Sequence, residues 1–122
     1  MSSSIGLKAA IKECPVFPHN IKGIFISHSA VIGKNCTIYQ QVTIGSNAVK
    51  TSKTFGAPTI GDNCIIGAGA KIIGKVIIGH NVRIGANAVV ANDVPDNATV
   101  ILPPMRVIKK DSLLIDEADF PE

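Results

Sequence analysis

A spacing of six restricts this chain more than any other feature. From Ile65 to Val90 it reads IIGAGAKIIGKVIIGHNVRIGANAVV, with isoleucine at Ile66, Ile72, Ile78 and Ile84. An amphipathic helix repeats its apolar residues roughly every 3.6 positions and a half-buried strand every second one. Neither asks for six. The series begins at Ile26, runs through Ile32, Ile38 and Ile44, breaks, resumes at Ile60 and ends at Val90. With those residues as position one, position two is often glycine: Gly33, Gly45, Gly61, Gly67, Gly79, Gly85. Position four is often Asn35, Asn47, Asn63, Asn81, Asn87 or Asp93. Position five is small or β-branched, from Ala30, Cys36 and Val42 to Cys64, Ala70, Val76, Val82, Ala88 and Val94.

Each hexad therefore reads as one short strand and one sharp corner. Gly, Asn and Asp accept the positive φ that such corners require. Positions one and five point inward and stack on their equivalents above and below, because a repeat this small cannot bury its own apolar face. Three hexads make one triangular turn. The fold expected is all-β, a parallel β-helix. Composition agrees: 46% of the 122 residues are apolar but only 4% aromatic, with no Trp. Such a core is built from thin layers of Ile, Val, Ala and Cys.

The chain reads as a single domain over 1–122. Residues 1–16 are an N-terminal segment or a degenerate first coil, with KAAIKE either a short helix or part of that coil. Residues 17–108 are β-helix, and 109–122 form an acidic tail that loses the repeat and covers or flanks the open end. A net charge of +3 is far from the dense basic field of a nucleic-acid binder. No apolar run approaches the length of a membrane span, and the first residues lack the pattern of a signal peptide. Three cysteines without close pairs suit a reducing compartment, so the expected location is cytoplasmic. Asn97–Ala98–Thr99 matches a glycosylation sequon by pattern alone.

Three histidines are candidates for chemistry. Counting from Phe17, His19 heads a column continued by Gln40, Ala68 and Ala86. At about 4.8 Å per coil this column spans about 14 Å, a groove floored by small side chains. Nine residues rather than six separate Phe17 from Ile26, so a bulge pushes His19 outward. His28 stands over Ser46, Gly74 and Asn92, and His80 shares a column with Lys34 and Asp62; both read as solvated corner residues. Cys36 and Cys64 fall at the small inward position, where packing accounts for them. SNAVKTSKTF, Ser46 to Phe55, interrupts the repeat, and irregular loops in compact domains are more often functional than not.

PHNIKGIFISHSAVIGKNCTIYQQVTIG (Pro18 to Gly45) and GAPTIGDNCIIGAGAKIIG (Gly56 to Gly74) resemble the serine acetyltransferase branch of the hexapeptide-repeat acyltransferases. The likeness covers roughly residues 17–110 and leaves out the branch's helical N-terminal domain. It implies a left-handed parallel β-helix with a protruding loop near 46–57. It further implies an acetyl-CoA-dependent O-acetyltransferase: His19 as general base, and Gln40, Ala68, Gly69, Ala86, Lys71 and Arg106 on the coenzyme A side. Lys75, Arg83, Lys109 and Lys110 would join Lys71 and Arg106 near the CoA phosphates. Acetyl-CoA is then a co-substrate, no metal is expected, and the state expected is a homotrimer with sites between subunits, the loop reaching over the neighbouring groove.

The chain departs from that pattern at four places. Pro18 stands where the branch has Asp before its histidine. Gly56 and Ala57 replace an Arg–His pair. Ser4 falls at the place of the orienting carboxylate, with Glu13 the nearest acid in sequence. Leu102–Pro103–Pro104–Met105–Arg106 replaces the usual Gly–x–Pro–Ala ending. The lost Arg and His would grip an amino acid, so a sugar or polysaccharide hydroxyl competes with serine as acceptor. A non-catalytic trimeric scaffold is another reading. A carbonic-anhydrase-like hydratase on the same fold needs three histidines converging on zinc, whereas these three lie on different columns.

Overall fold

The computed structural model describes residues 3–6 and 9–110. Every strand in its three sheets is parallel to its neighbours, and each sheet collects every third strand until the last, Thr99–Val100, which follows Arg83–Ile84 with a single strand between. The first stacks Ser4–Ile5, Phe25–Ile26, Thr43–Gly45, Lys71–Ile73 and Val89–Val90. Ala10–Ile11, Val31–Ile32, Thr59–Ile60 and Ile77–Ile78 form the second. Thr37–Ile38, Ile65–Ile66, Arg83–Ile84 and Thr99–Val100 form the third. The chain passes from first to second to third and back, which traces a triangular coil.

Register places like on like. Ile26 pairs with Ile44, Ile44 with Ile72 and Ile72 with Val90; Ile38 pairs with Ile66 and Ile66 with Ile84. Every position-one isoleucine from Ile26 to Ile84 is buried, as are the position-five residues Ala30, Cys36, Val42, Cys64, Ala70, Val76, Val82 and Ala88. The core is a stack of thin aliphatic layers, as the low aromatic content requires.

Two corners turn on left-handed residues. At the corner between second and third sheets these are Asn35, Asn63, Asn81 and Asn97, with φ of 57–62°. At the corner between third and first they are Asn20, Gln41, Gly69 and Asn87. Asn tolerates this conformation better than most residues because its short side chain bonds locally. The remaining corner, from first to second sheet, carries Gly74 at φ 90°, and it is here that the loop is inserted.

Two features differ from the simple repeat. Val94, expected at an inward corner position, instead bridges Ile78 as the next strand position. It follows Val90 by four positions instead of six, so the chain cuts this corner short. Asp93 Oδ1 accepts the Ile77 N–H at 2.8 Å and Pro95 offers no N–H to extend a ladder. KAAIKE contributes strand rather than helix: Ala10 and Ile11 pair with Val31 and Ile32. The last strand is Thr99–Val100, and Leu102 to Arg106 are exposed. The acidic tail lies, from residue 111 onward, outside the described residues.

The corner between second and third sheets is closed by a side-chain ladder. Lys34 N–H donates to Asp62 Oδ1, Asp62 N–H to His80 Nδ1, and His80 N–H to Asp96 Oδ1, at 2.7, 2.8 and 2.8 Å. The Lys34 N–H bond, helped by the nearby His80, holds the Asp62 carboxyl below its ordinary 3.8. Folding lowers this pKa, so the contribution is present above the ordinary value and is lost as pH falls through the folded one. We expect Asp62→Asn to lower the urea midpoint at neutral pH, with the gap to wild type closing in acid; a gap independent of pH would contradict this role.

Candidate active site

His19 lies in Pro18–Ile21, an extended segment exposed along its length. Pro18 fixes the backbone torsion on one side. On the other, Asn20 is left-handed and its N–H donates to Phe17 O at 3.0 Å. The extra residues of this segment return the chain to register at Gly23, itself left-handed at φ 66°. This is the outward bulge that the spacing predicts. Val16 bridges Thr37 in parallel, so Phe17 stands over Ile38 and His19 over Gln40, with Ala68 and Ala86 below.

The ring of His19 contacts Tyr39, their centroids 6.1 Å apart and the planes tilted by 38°. Gln40 Oε1 is buried and has no hydrogen-bond partner among the described residues. An acceptor of that kind is expensive to leave unpaired, and it sits one coil below the histidine. The column beneath it carries the small side chains Ala68 and Ala86. A side chain at Gly69 would be strained: its φ is 72°, and an added Cβ would meet Asn87 Oδ1 at 2.2 Å, so the Asn87 side chain would have to move. Gly69 N–H donates to Gln40 O at 3.0 Å, which ties the two coils together at the groove. Small floor and unpaired acceptor suit a slender chain bearing amide N–H groups, such as the pantetheine arm of coenzyme A.

Lys71 sits at the same edge. Its Nζ donates to Gly69 O at 2.6 Å and reaches Gln41 O at 3.5 Å, so it braces two left-handed corner residues. Lys75 and Arg83 are elsewhere, on the loop corner and on the third sheet, and Arg106 is exposed beyond the last strand. The basic residues therefore do not form one cluster.

The structure separates the other candidates. His28 stands on the loop corner, beside Ser27 and Ser46, whose hydroxyls are 2.5 Å apart. His80 belongs to the corner ladder. The three histidines occupy three different edges of the prism. Glu13 follows Ala10–Ile11, so it is on the His80 edge rather than near His19, and Ser4 is held in the first sheet opposite Phe25. Among the described residues no carboxylate pairs with His19. Cys36 and Cys64 stack in the core; Cys36 Sγ donates to Gly61 O at 3.3 Å and Cys64 Sγ to Gly79 O at 3.1 Å. The interaction between the two thiols pulls Cys36 down, to about 7, and, together with burial, pushes Cys64 up.

The interrupting loop is a folded unit. Asn47 and Gly56 exchange backbone hydrogen bonds at 2.8 and 3.0 Å. Asn47 Nδ2 donates to Ser52 Oγ and Thr54 Oγ1, and its Oδ1 accepts the Val49 N–H. Lys75 N–H donates to Thr54 O. The loop projects Val49 and Phe55 into solvent.

Sequence reading does not single out Tyr39. The available signal is its place in the repeat: at this corner position two is Pro18, Tyr39, Gly67 and Gly85, and Tyr39 is the chain's one tyrosine.

The family described as bacterial transferase hexapeptide (six repeats) matches residues 57–92. The serine acetyltransferase of Synechococcus elongatus is 41% identical over 104 residues, 85% of this chain and 42% of that protein. The serine acetyltransferase of Mycobacterium tuberculosis is 45% identical over 99 residues, 81% of this chain and 42% of that protein. Among solved structures, serine acetyltransferase isoform 3 of Entamoeba histolytica, in complex with cysteine, superposes with a TM-score of 0.72 at 36% identity. That match covers 88% of this chain and 38% of the other. Neisseria gonorrhoeae serine acetyltransferase, in complex with serine, gives 0.68 at 35% identity, covering 82% and 39%. The chain thus spans about two fifths of the length of the relatives it matches. The fold is the left-handed parallel β-helix that the repeat and the resemblance predict.

Proposed function

We propose, on the premise that this chain is a hexapeptide-repeat protein of the serine acetyltransferase-like kind, that it transfers acetyl from acetyl-CoA to an acceptor hydroxyl. The observation that carries the reading is His19 at the head of a column of small residues, with Gln40 Oε1 beneath it, a buried acceptor without a partner among the described residues. The thioester supplies an activated acetyl group; the rest is positioning and proton transfer. His19 takes the proton from the acceptor hydroxyl as its oxygen attacks the acetyl carbon. As the tetrahedral centre collapses, the C–S bond breaks and the imidazolium returns that proton to the departing sulfur. The products are an O-acetyl ester and free CoA thiol. Gln40, Ala68, Gly69 and Ala86 line the thioester arm, and Lys71 keeps their corner in shape. Arg106 acts toward the phosphates.

The relatives make L-serine the first acceptor to test. Gly56 and Ala57, at the end of the loop, bring no charge to an amino acid, and this observation favours a sugar hydroxyl as the second. Outward apolar side chains on two faces, Phe25 at 45% and Val89 at 66% exposure on the first sheet and Ile77 at 60% on the second, support assembly as a homotrimer with grooves between subunits. Among the described residues no helix is long and apolar enough to cross a membrane, and the place of action we propose is the cytoplasm.

The test is thiol release from acetyl-CoA with L-serine and with a panel of sugars. Acceptor-dependent release is expected, and the responding acceptor decides between the two. Acetyl-CoA binding without release for any acceptor would overturn the reading in favour of a non-catalytic scaffold.

A further inference from the structure

We infer that Tyr39 is the positioning residue of the His19 base, filling the role that a carboxylate plays in other acid–base pairs; this rests on the reading of His19 given above. A general base works only if its ring is held at the right angle to the acceptor. His19 is exposed and makes no hydrogen bond or ion pair among the described residues, so none of those residues fixes its ring through a polar contact. What it does meet is Tyr39, at 6.1 Å between centroids, within the span of about 4.5–7 Å over which aromatic rings attract in tilted arrangements.

Tyr39 is itself well placed to serve as an anchor. Its N–H donates to Ile66 O at 3.0 Å, so its backbone is part of the third-sheet ladder, and its side chain is half-buried. The coils below carry Gly67 and Gly85 at the equivalent position. The ring therefore stands alone at the groove, with no side chain under it to draw it away from His19. Repeat proteins break their own sequence rule mainly where function asks for it, and an aromatic ring in a glycine column beside the base is such a break. The backbone of His19, pinned by Pro18 and Asn20, leaves only its side-chain torsions for Tyr39 to fix.

The experiment compares the intact protein with Tyr39→Leu and Tyr39→Phe by steady-state kinetics and by NMR of the imidazole carbon-bound protons. The His19 signals are assigned by their loss in His19→Ala. In the wild type those protons are expected to carry a ring-current displacement that Tyr39→Leu removes and Tyr39→Phe keeps. Tyr39→Leu is expected to lower kcat by about 10- to 100-fold with KM for acetyl-CoA nearly unchanged, and Tyr39→Phe to restore most of the rate. Absence of the displacement in the wild type would overturn the inference, whichever variants fold. So would a Tyr39→Leu protein with wild-type kcat. Full activity in His19→Ala would instead sink the base assignment, while the displacement would still report whether the rings touch.

Discussion

Replacing His19 with alanine is expected to lower acceptor-dependent thiol release by about 10²- to 10⁴-fold, the usual worth of a positioned general base. Acetyl-CoA binding should survive, because the groove below His19 is made of Gln40, Ala68, Gly69 and Ala86, whose corner geometry is set by backbone hydrogen bonds and by Lys71. The loss should therefore fall on kcat rather than on KM. The residual rate comes from holding thioester and acceptor together. His28→Ala and His80→Ala supply the contrast: those residues stand on the other two edges of the prism, and their variants should release thiol at the wild-type rate within about twofold. Undiminished turnover in His19→Ala, or an equal loss in His28→Ala, would move the chemistry to a different edge.

Much of this architecture was legible because register in a coil of six-residue steps is arithmetic. Once Ile26 to Ile84 are aligned, every buried column follows, and so does the placement of His19 over Gln40. The corners were legible through Asn and Gly, whose tolerance of positive φ is a local property. What escaped depends on contacts rather than on period. The shortened corner at Val94 arises from Asp93 capping Ile77 and from Pro95, neither of which the hexad rule encodes. KAAIKE obeys no positional rule, and only its pairing with Val31–Ile32 decides that it is strand. The basic residues looked like one group in sequence, yet each hexad turns the chain onto a new face, so Lys71 and Arg83 lie in different sheets. Tyr39 needed the structure because its meaning lies in the bulge that brings His19 beside it.

The same arithmetic makes a strong claim about stability. Ile66 lies midway in a column between Ile38 and Ile84 and is fully buried. Ile66→Ala is expected to cost about 2–5 kcal/mol, toward the upper end, as deletion of a buried side chain leaves a cavity wherever the surroundings cannot collapse. Here collapse is blocked from both sides: Tyr39 N–H donates to Ile66 O at 3.0 Å and Gly67 N–H to Ile84 O at 2.7 Å, so neither neighbouring coil can move in. Val100 continues the same column beyond Ile84 but is only partly buried, and no paired strand follows it among the described residues. Val100→Ala should cost about 1 kcal/mol, an ordinary single-site loss. Urea denaturation of both variants at several protein concentrations would separate coil stacking from assembly. Equal costs at the two positions would mean that stability is not passed from coil to coil, contrary to what nearest-neighbour coupling in a solenoid demands.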